Sequence, residues 1–153
     1  MKALKTLLLL ILLCPLTALA QDVEKLDVKG LRNIVDSSKG RVLIINYWAT
    51  WCNPCVREFP GLINVRKEFA ESDLQVVGIS VDYNPRPVGN FVKQNNINFP
   101  IFLDDGSIAS MLDIGSIPRT IIYDRQGQKV LDHLGFISEK SFRHVVARLV
   151  ESP

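Results

Sequence analysis

The apolar positions change period along the chain, and each change marks a new element. Residues 41–47 hold Val42, Leu43, Ile44 and Ile45 in one unbroken block, the pattern of a strand covered on both faces. From residue 53 the spacing becomes three and four. Val56, Phe59, Leu62, Ile63 and Phe69 then form one stripe of a helix that runs to about residue 71. Leu74, Val76, Val77, Ile79 and Val81 mark a second buried strand over 74–81.

The remaining segments continue the alternation. Residues 22–28 are a short, moderately apolar lead-in of edge-strand character. Leu31, Ile34 and Val35 make a short helix over 31–37 that Gly40 helps to stop. A loop of turn residues at 82–87 leads to a helix over 88–95 with Val88, Phe91 and Val92 inward, and then to a short strand at 99–103. Ile108, Met111 and Leu112 predict one or two further helical turns. The runs 120–123 and 129–134 flank Asp124-Arg125-Gln126-Gly127, a β-hairpin signal, and Ser138 caps a last helix with Phe142, Val145, Val146, Leu149 and Val150 on its apolar side. Strands alternating with helices predict an α/β fold with a central mixed β-sheet flanked by helices. No repeat, low-complexity tract or linker divides the chain, so residues 21–153 read as one domain.

The first twenty residues stand apart. Lys2 and Lys5 supply a basic start, residues 7–13 an apolar stretch, and Ala18-Leu19-Ala20 the small residues of a cleavage site. Residues 1–20 therefore read as a signal peptide for export, to the periplasm or beyond the bacterial membrane. The competing reading is an uncleaved membrane anchor, but residues 6–20 offer only about 15 apolar positions where roughly 20 span a bilayer, and Pro15 interrupts them. Lipid attachment at Cys14 is disfavoured by Leu13, which stands where a lipoprotein signal carries a small residue.

Removing the leader changes the charge balance. Lys2 and Lys5 are lost, and 16 basic residues remain against 16 acidic ones. That near-neutral chain carries no nucleic-acid footprint. Cys14 goes as well, leaving Cys52 and Cys55 as the only cysteine pair. In an oxidising compartment such a pair either acts as an oxidant or is kept reduced by a partner.

That pair lies in Ala49-Thr50-Trp51-Cys52-Asn53-Pro54-Cys55, between the first buried strand and the long helix. A helix start offers unpaired N–H groups and the positive end of the macrodipole, both of which stabilise a thiolate. Cys52 is thus the expected nucleophile, and Cys55, one turn deeper, the thiol that resolves a mixed disulfide. Pro54 suits an early helical position, whereas Pro60 falls inside the helix and is expected to bend it. Structural zinc is disfavoured because no other cysteine follows and His133 and His144 lack a paired spacing. A purely structural disulfide would close too short a loop to constrain the unfolded chain much.

The run from Tyr47 to Pro60, with Gly115-Ser116-Ile117-Pro118-Arg119-Thr120 downstream, resembles the thioredoxin superfamily, and within it the exported TlpA/ResA-type thiol:disulfide oxidoreductases. The likeness covers nearly the whole mature chain. It implies a thioredoxin-like fold with a helix–strand insert before the proline loop. It further implies a cis Pro118 facing the dithiol, substrate binding along the Ile117 backbone, and Trp51 as an exposed aromatic beside the nucleophile; packing of Trp51 against Trp48 is the competing reading. The chain also departs from the pattern of cytoplasmic thioredoxins. Asn46 stands where they carry a buried Asp, and Gly78 where they carry a Lys. Asn accepts no proton, so the base must lie elsewhere or be solvent. Asp82, at the end of the second strand, is the candidate, against the plainer role of a solvated turn residue. Arg57, Glu58 and Arg119 fall near the site by the resemblance, where they would tune partner choice or simply be solvated.

The leading expectation is an exported enzyme that reduces disulfides in client proteins, such as apocytochrome c during cytochrome c maturation or partner redox proteins. It needs no cofactor or metal and draws electrons from a membrane carrier. The absence of a His between the cysteines favours the reducing direction. Two alternatives remain: a disulfide-forming or isomerising oxidant using the same residues, and a non-catalytic thioredoxin-fold binding module. A peroxidase is disfavoured because residues 45–51 contain no proline for a Pro-x-x-x-Thr-x-x-Cys setting.

Overall fold

The computed structural model describes residues 23–152. The expectations for residues 1–20, with the cleavage site and Cys14, lie outside the described residues. The elements follow in the order β1 (Lys25–Leu26), α1 (Val28–Ser37), β2 (Val42–Trp48), α2 (Asn53–Glu68), β3 (Leu74–Ser80), α3 (Pro85–Gln94), β4 (Ile101–Asp104), α4 (Ser107–Met111), β5 (Arg119–Tyr123), β6 (Lys129–Leu134) and α5 (Glu139–Glu151). Among the described residues one sheet of order β1-β4-β3-β2-β5-β6 holds all the strands. Its first four members run parallel, and β5 and β6 are antiparallel additions. This is the expected mixed sheet, with α3 and β4 as the insert.

Strand β2 lies inside the sheet and every one of its residues is buried, which is why its apolar run is unbroken. Its side chains alternate between two cores. Ile44 and Trp48 meet Phe59, Leu62, Phe142 and Val146 of α2 and α5 on one face, while Leu43, Ile45 and Tyr47 meet Leu31 and Ile108 of α1 and α4 on the other. On the first face Phe59 stands 4.4 Å from Trp48, 5.0 Å from Phe91 and 5.9 Å from Phe99 between ring centroids. These rings tie α2 and α3 to the sheet directly behind the dithiol. Gly78 belongs to the same cluster, since a Cβ there would press on Ile101 and on Nε1 of Trp48.

Three local differences from the periodicity have physical causes. The buried face of α2 is led by Cys55 and continues through Glu58, Phe59, Leu62 and Val65, while Val56 is only half-buried. The helix ends at Glu68 because Phe69 turns extended. Helix α3 begins at Pro85 rather than three residues later. Proline takes the first helical position without losing a bond, and the Asn84 side chain accepts the Arg86 N–H at 2.9 Å. Among the described residues no helix is long and apolar enough to cross a membrane.

Candidate active site

Cys52 is the N-cap of α2. Its backbone is extended and its Sγ accepts the N–H of Cys55 at 3.3 Å. A sulfur here occupies the place that a Ser or Asp oxygen usually takes, so a thiolate formed at Cys52 gains an N–H bond and the helix dipole. Cys55 sits one turn in, without solvent exposure, and the two sulfurs are joined in a disulfide. Burial in apolar surroundings favours the protonated thiol at Cys55 once that bond opens. Pro54 falls in the first helical turn and Asn53 is exposed. Trp51 is 65% exposed, whereas Trp48 is fully buried, so only Trp48 belongs to the core.

Ile117 packs against the core cluster that includes Cys52 and Cys55. The Ile117–Pro118 peptide bond is cis, and the Pro118 carbonyl accepts the Gly135 N–H at 2.8 Å, which fixes the proline loop to the end of β6. Among the described residues no hydrogen bond of the fold uses the Ile117 backbone. Arg119 is committed within the fold. It grips Asp132 with Nε and Nη2 at 2.8 and 3.1 Å and donates from Nη1 to the Leu112 carbonyl at 2.9 Å; the same guanidinium holds the Asp132 carboxyl down at about 2.

Asp82, the candidate base, is engaged elsewhere. Its carboxylate accepts the Thr50 N–H at 2.9 Å, the Thr50 hydroxyl at 2.7 Å and the Ser80 hydroxyl at 2.7 Å. It is therefore an anchor that clips the Trp51 loop to the end of β3. Asp82→Ala strands those donors in a largely buried setting and is expected to lower stability by about 2 kcal/mol. Urea unfolding with an unchanged slope checks this.

The structure brings forward a different carboxylate. Glu58 lies three residues after Cys55 on the buried face of α2 and is 1% exposed, not solvated as its charge suggests. Its Oε2 accepts from Asn46 Nδ2 at 2.9 Å and its Oε1 from the Ile137 N–H at 2.6 Å. The other Asn46 N–H goes to Thr120 Oγ1 at 3.1 Å, across a β2–β5 register pair. Burial raises the Glu58 carboxyl from 4.5 to about 7, against the lowering effect of its two hydrogen bonds. The sequence does hold a signal for it: the Cys55-x-x-Glu58 spacing stacks the two side chains on one helical face, and Asn46 leaves a vacancy for a proton acceptor. Among the described residues no cluster of three metal-ligating side chains occurs.

Comparison with known proteins agrees with this architecture. Over 114 residues the chain is 32% identical to "Thiol-disulfide oxidoreductase ResA" of Bacillus subtilis (strain 168), covering 74% of this chain and 64% of that protein. It is 31% identical over 124 residues to "Thioredoxin-like protein YneN" of the same organism, covering 79% and 72%. Among solved structures, a thiol:disulfide interchange protein of the thioredoxin family from Chlorobium tepidum TLS superposes with a TM-score of 0.70 at 28% identity, covering 75% of this chain and 83% of the other. StoA from Bacillus subtilis superposes with a TM-score of 0.62 at 25% identity, covering 69% and 82%. The chain thus spans a little under two thirds of the ResA protein, and the expected thioredoxin-like fold is the one observed. Residues 16–130 match the family described as AhpC/TSA, and the chain belongs to that family.

Proposed function

We propose that the protein is an exported thiol:disulfide oxidoreductase that reduces disulfides in client proteins. The observation that carries this reading is a Cys52–Cys55 disulfide at the start of α2 with a buried carboxylate of raised pKa one turn beyond it. In the reduced protein the Cys52 thiolate attacks a client disulfide, a mixed disulfide forms, and one client thiolate leaves. Ionised Glu58 then takes the proton of Cys55, whose sulfur attacks Cys52 Sγ. The second client thiolate departs and Glu58 later returns its proton to solvent. Ile117 supplies free backbone groups for an extended client segment held beside Cys52 by strand-like bonds. Glu58, rather than Asp82, is the base in this scheme.

The names of ResA and the superposed interchange protein support thiol–disulfide chemistry. The signal-like residues 1–20 support export ahead of a domain over 21–153, and the missing His between the cysteines supports the reducing direction. An apocytochrome c or a partner redox protein fits as client, with a membrane electron carrier as donor. The test is the reduction potential of the Cys52/Cys55 pair, by equilibration against glutathione or dithiothreitol. A value near roughly −270 mV is expected, and one near roughly −120 mV would replace reduction by disulfide formation.

A further inference from the structure

Of the three charged residues expected around the dithiol, Glu58 is buried and Arg119 is tied to Asp132 and to the Leu112 carbonyl. Arg57 is different. It is exposed, forms no ion pair among the described residues, and places its guanidinium carbon 5.7 Å from the centre of the Phe136 ring. Phe136 is itself 48% exposed, next to the loop that carries the Pro118 and Glu58 contacts through Gly135 and Ile137. A ring face holds a guanidinium by its plane and leaves the N–H edge free for a carboxylate.

The surroundings favour that occupant. Leu134 and Phe136 are exposed on the segment whose Gly135 holds the proline loop, and Trp51, next to Cys52, and Tyr83 are exposed on two loops that Asp82 joins. An apolar rim of this kind marks a docking surface. The exposed cations next to its aromatic residues are Arg57, against Phe136, and Arg86, in the first turn of α3 after Tyr83, while the acid Asp132, in a pocket with Leu134, is held by Arg119 and Lys129. The exposed acid Asp113 lines that pocket too, and Arg119 donates to its backbone carbonyl. We infer that Arg57, seated on Phe136, selects client segments that carry an Asp or Glu side chain close to the reactive cysteine. The inference deepens the proposed function and rests on it.

Short disulfide-bonded peptides whose cysteine is flanked by Asp, Ser or Lys provide the probe. With reduced wild-type protein the Asp peptide is expected to react about 5- to 10-fold faster than the Lys peptide at low ionic strength, a margin that shrinks as salt screens it. Arg57→Glu should invert the order, and Arg57→Lys should keep its sign with a smaller ratio. Phe136→Ala should reduce the ratio by releasing the guanidinium from its seat. Equal rates for the Asp and Lys peptides in wild type, or a ratio unmoved by Arg57→Glu, overturn the inference while leaving disulfide exchange standing. No reaction with any peptide overturns the proposed function and this inference together.

Discussion

Protein carrying Cys55→Ser is expected to stop halfway through the reaction, covalently joined to its client through Cys52. The fully buried Cys55 lies one turn behind the N-capping Cys52, and in the proposed scheme it is the thiol that displaces the client. Without it the mixed disulfide has no intramolecular exit, and release then depends on thiols from solution. Effective molarities of well-placed groups reach about 10⁵ M or more, so turnover should fall at least ~10³-fold. Adducts should appear on non-reducing gels from cells expressing Cys55→Ser and be absent for the Cys52→Ser, Cys55→Ser double variant. Adducts that form as readily through Cys55 in a Cys52→Ser variant would reverse the assigned roles.

Glu58→Gln is expected to slow resolution about 100-fold near pH 7.5 and to stabilise the oxidised protein at the same pH. The kinetic loss is the usual contribution of a placed base. The stability gain follows from linkage. The Glu58 carboxyl titrates near 4.5 when exposed and at about 7 in the fold. Between those values the folded protein holds a proton that the unfolded chain has released, so wild-type stability falls as pH rises through that window, by about 3 kcal/mol in total. The Glu58→Gln substitution would remove the slope. The new amide can be accommodated, because Asn46 Oδ1 has no hydrogen-bond partner and a rotated Asn46 would turn it toward the new N–H₂. Chemical unfolding at pH 5 and pH 8, paired with the pH profile of client reduction, checks both parts. A wild-type profile with no rise near pH 7, or a variant retaining that rise, would remove Glu58 from the base role.

Most of the layer order is legible in the sequence because it rests on local signals. The unbroken block at Val42 to Ile45, the capping Ser138, and the turn at Asp124 to Gly127 each specify their element from within a few residues. The position of Cys52 and Cys55 is legible for the same reason, being a strand end followed by a helix start. Glu58 is harder to read. Next to Arg57 it looks like one more solvated helical charge, and its burial depends on Asn46, 12 residues earlier, and on Ile137, 79 residues later. Asp82 shows the reverse case. A strand-end Asp looks free to act as a base, but Thr50 and Ser80 occupy its oxygens through contacts that no spacing rule announces.

The bond from the Ile137 N–H to Glu58 also bears on how far the chemistry can be transplanted. The donor sits at the entry to α5, in a part of the chain with no cysteine. Grafting residues 49–58 onto a foreign scaffold would carry over both sulfurs and the carboxylate yet leave behind the amide that holds it. The unit that can be exchanged between proteins is therefore the whole sheet with its closing helix, and libraries that shuffle only the cysteine loop would sample potentials without inheriting the proton handling.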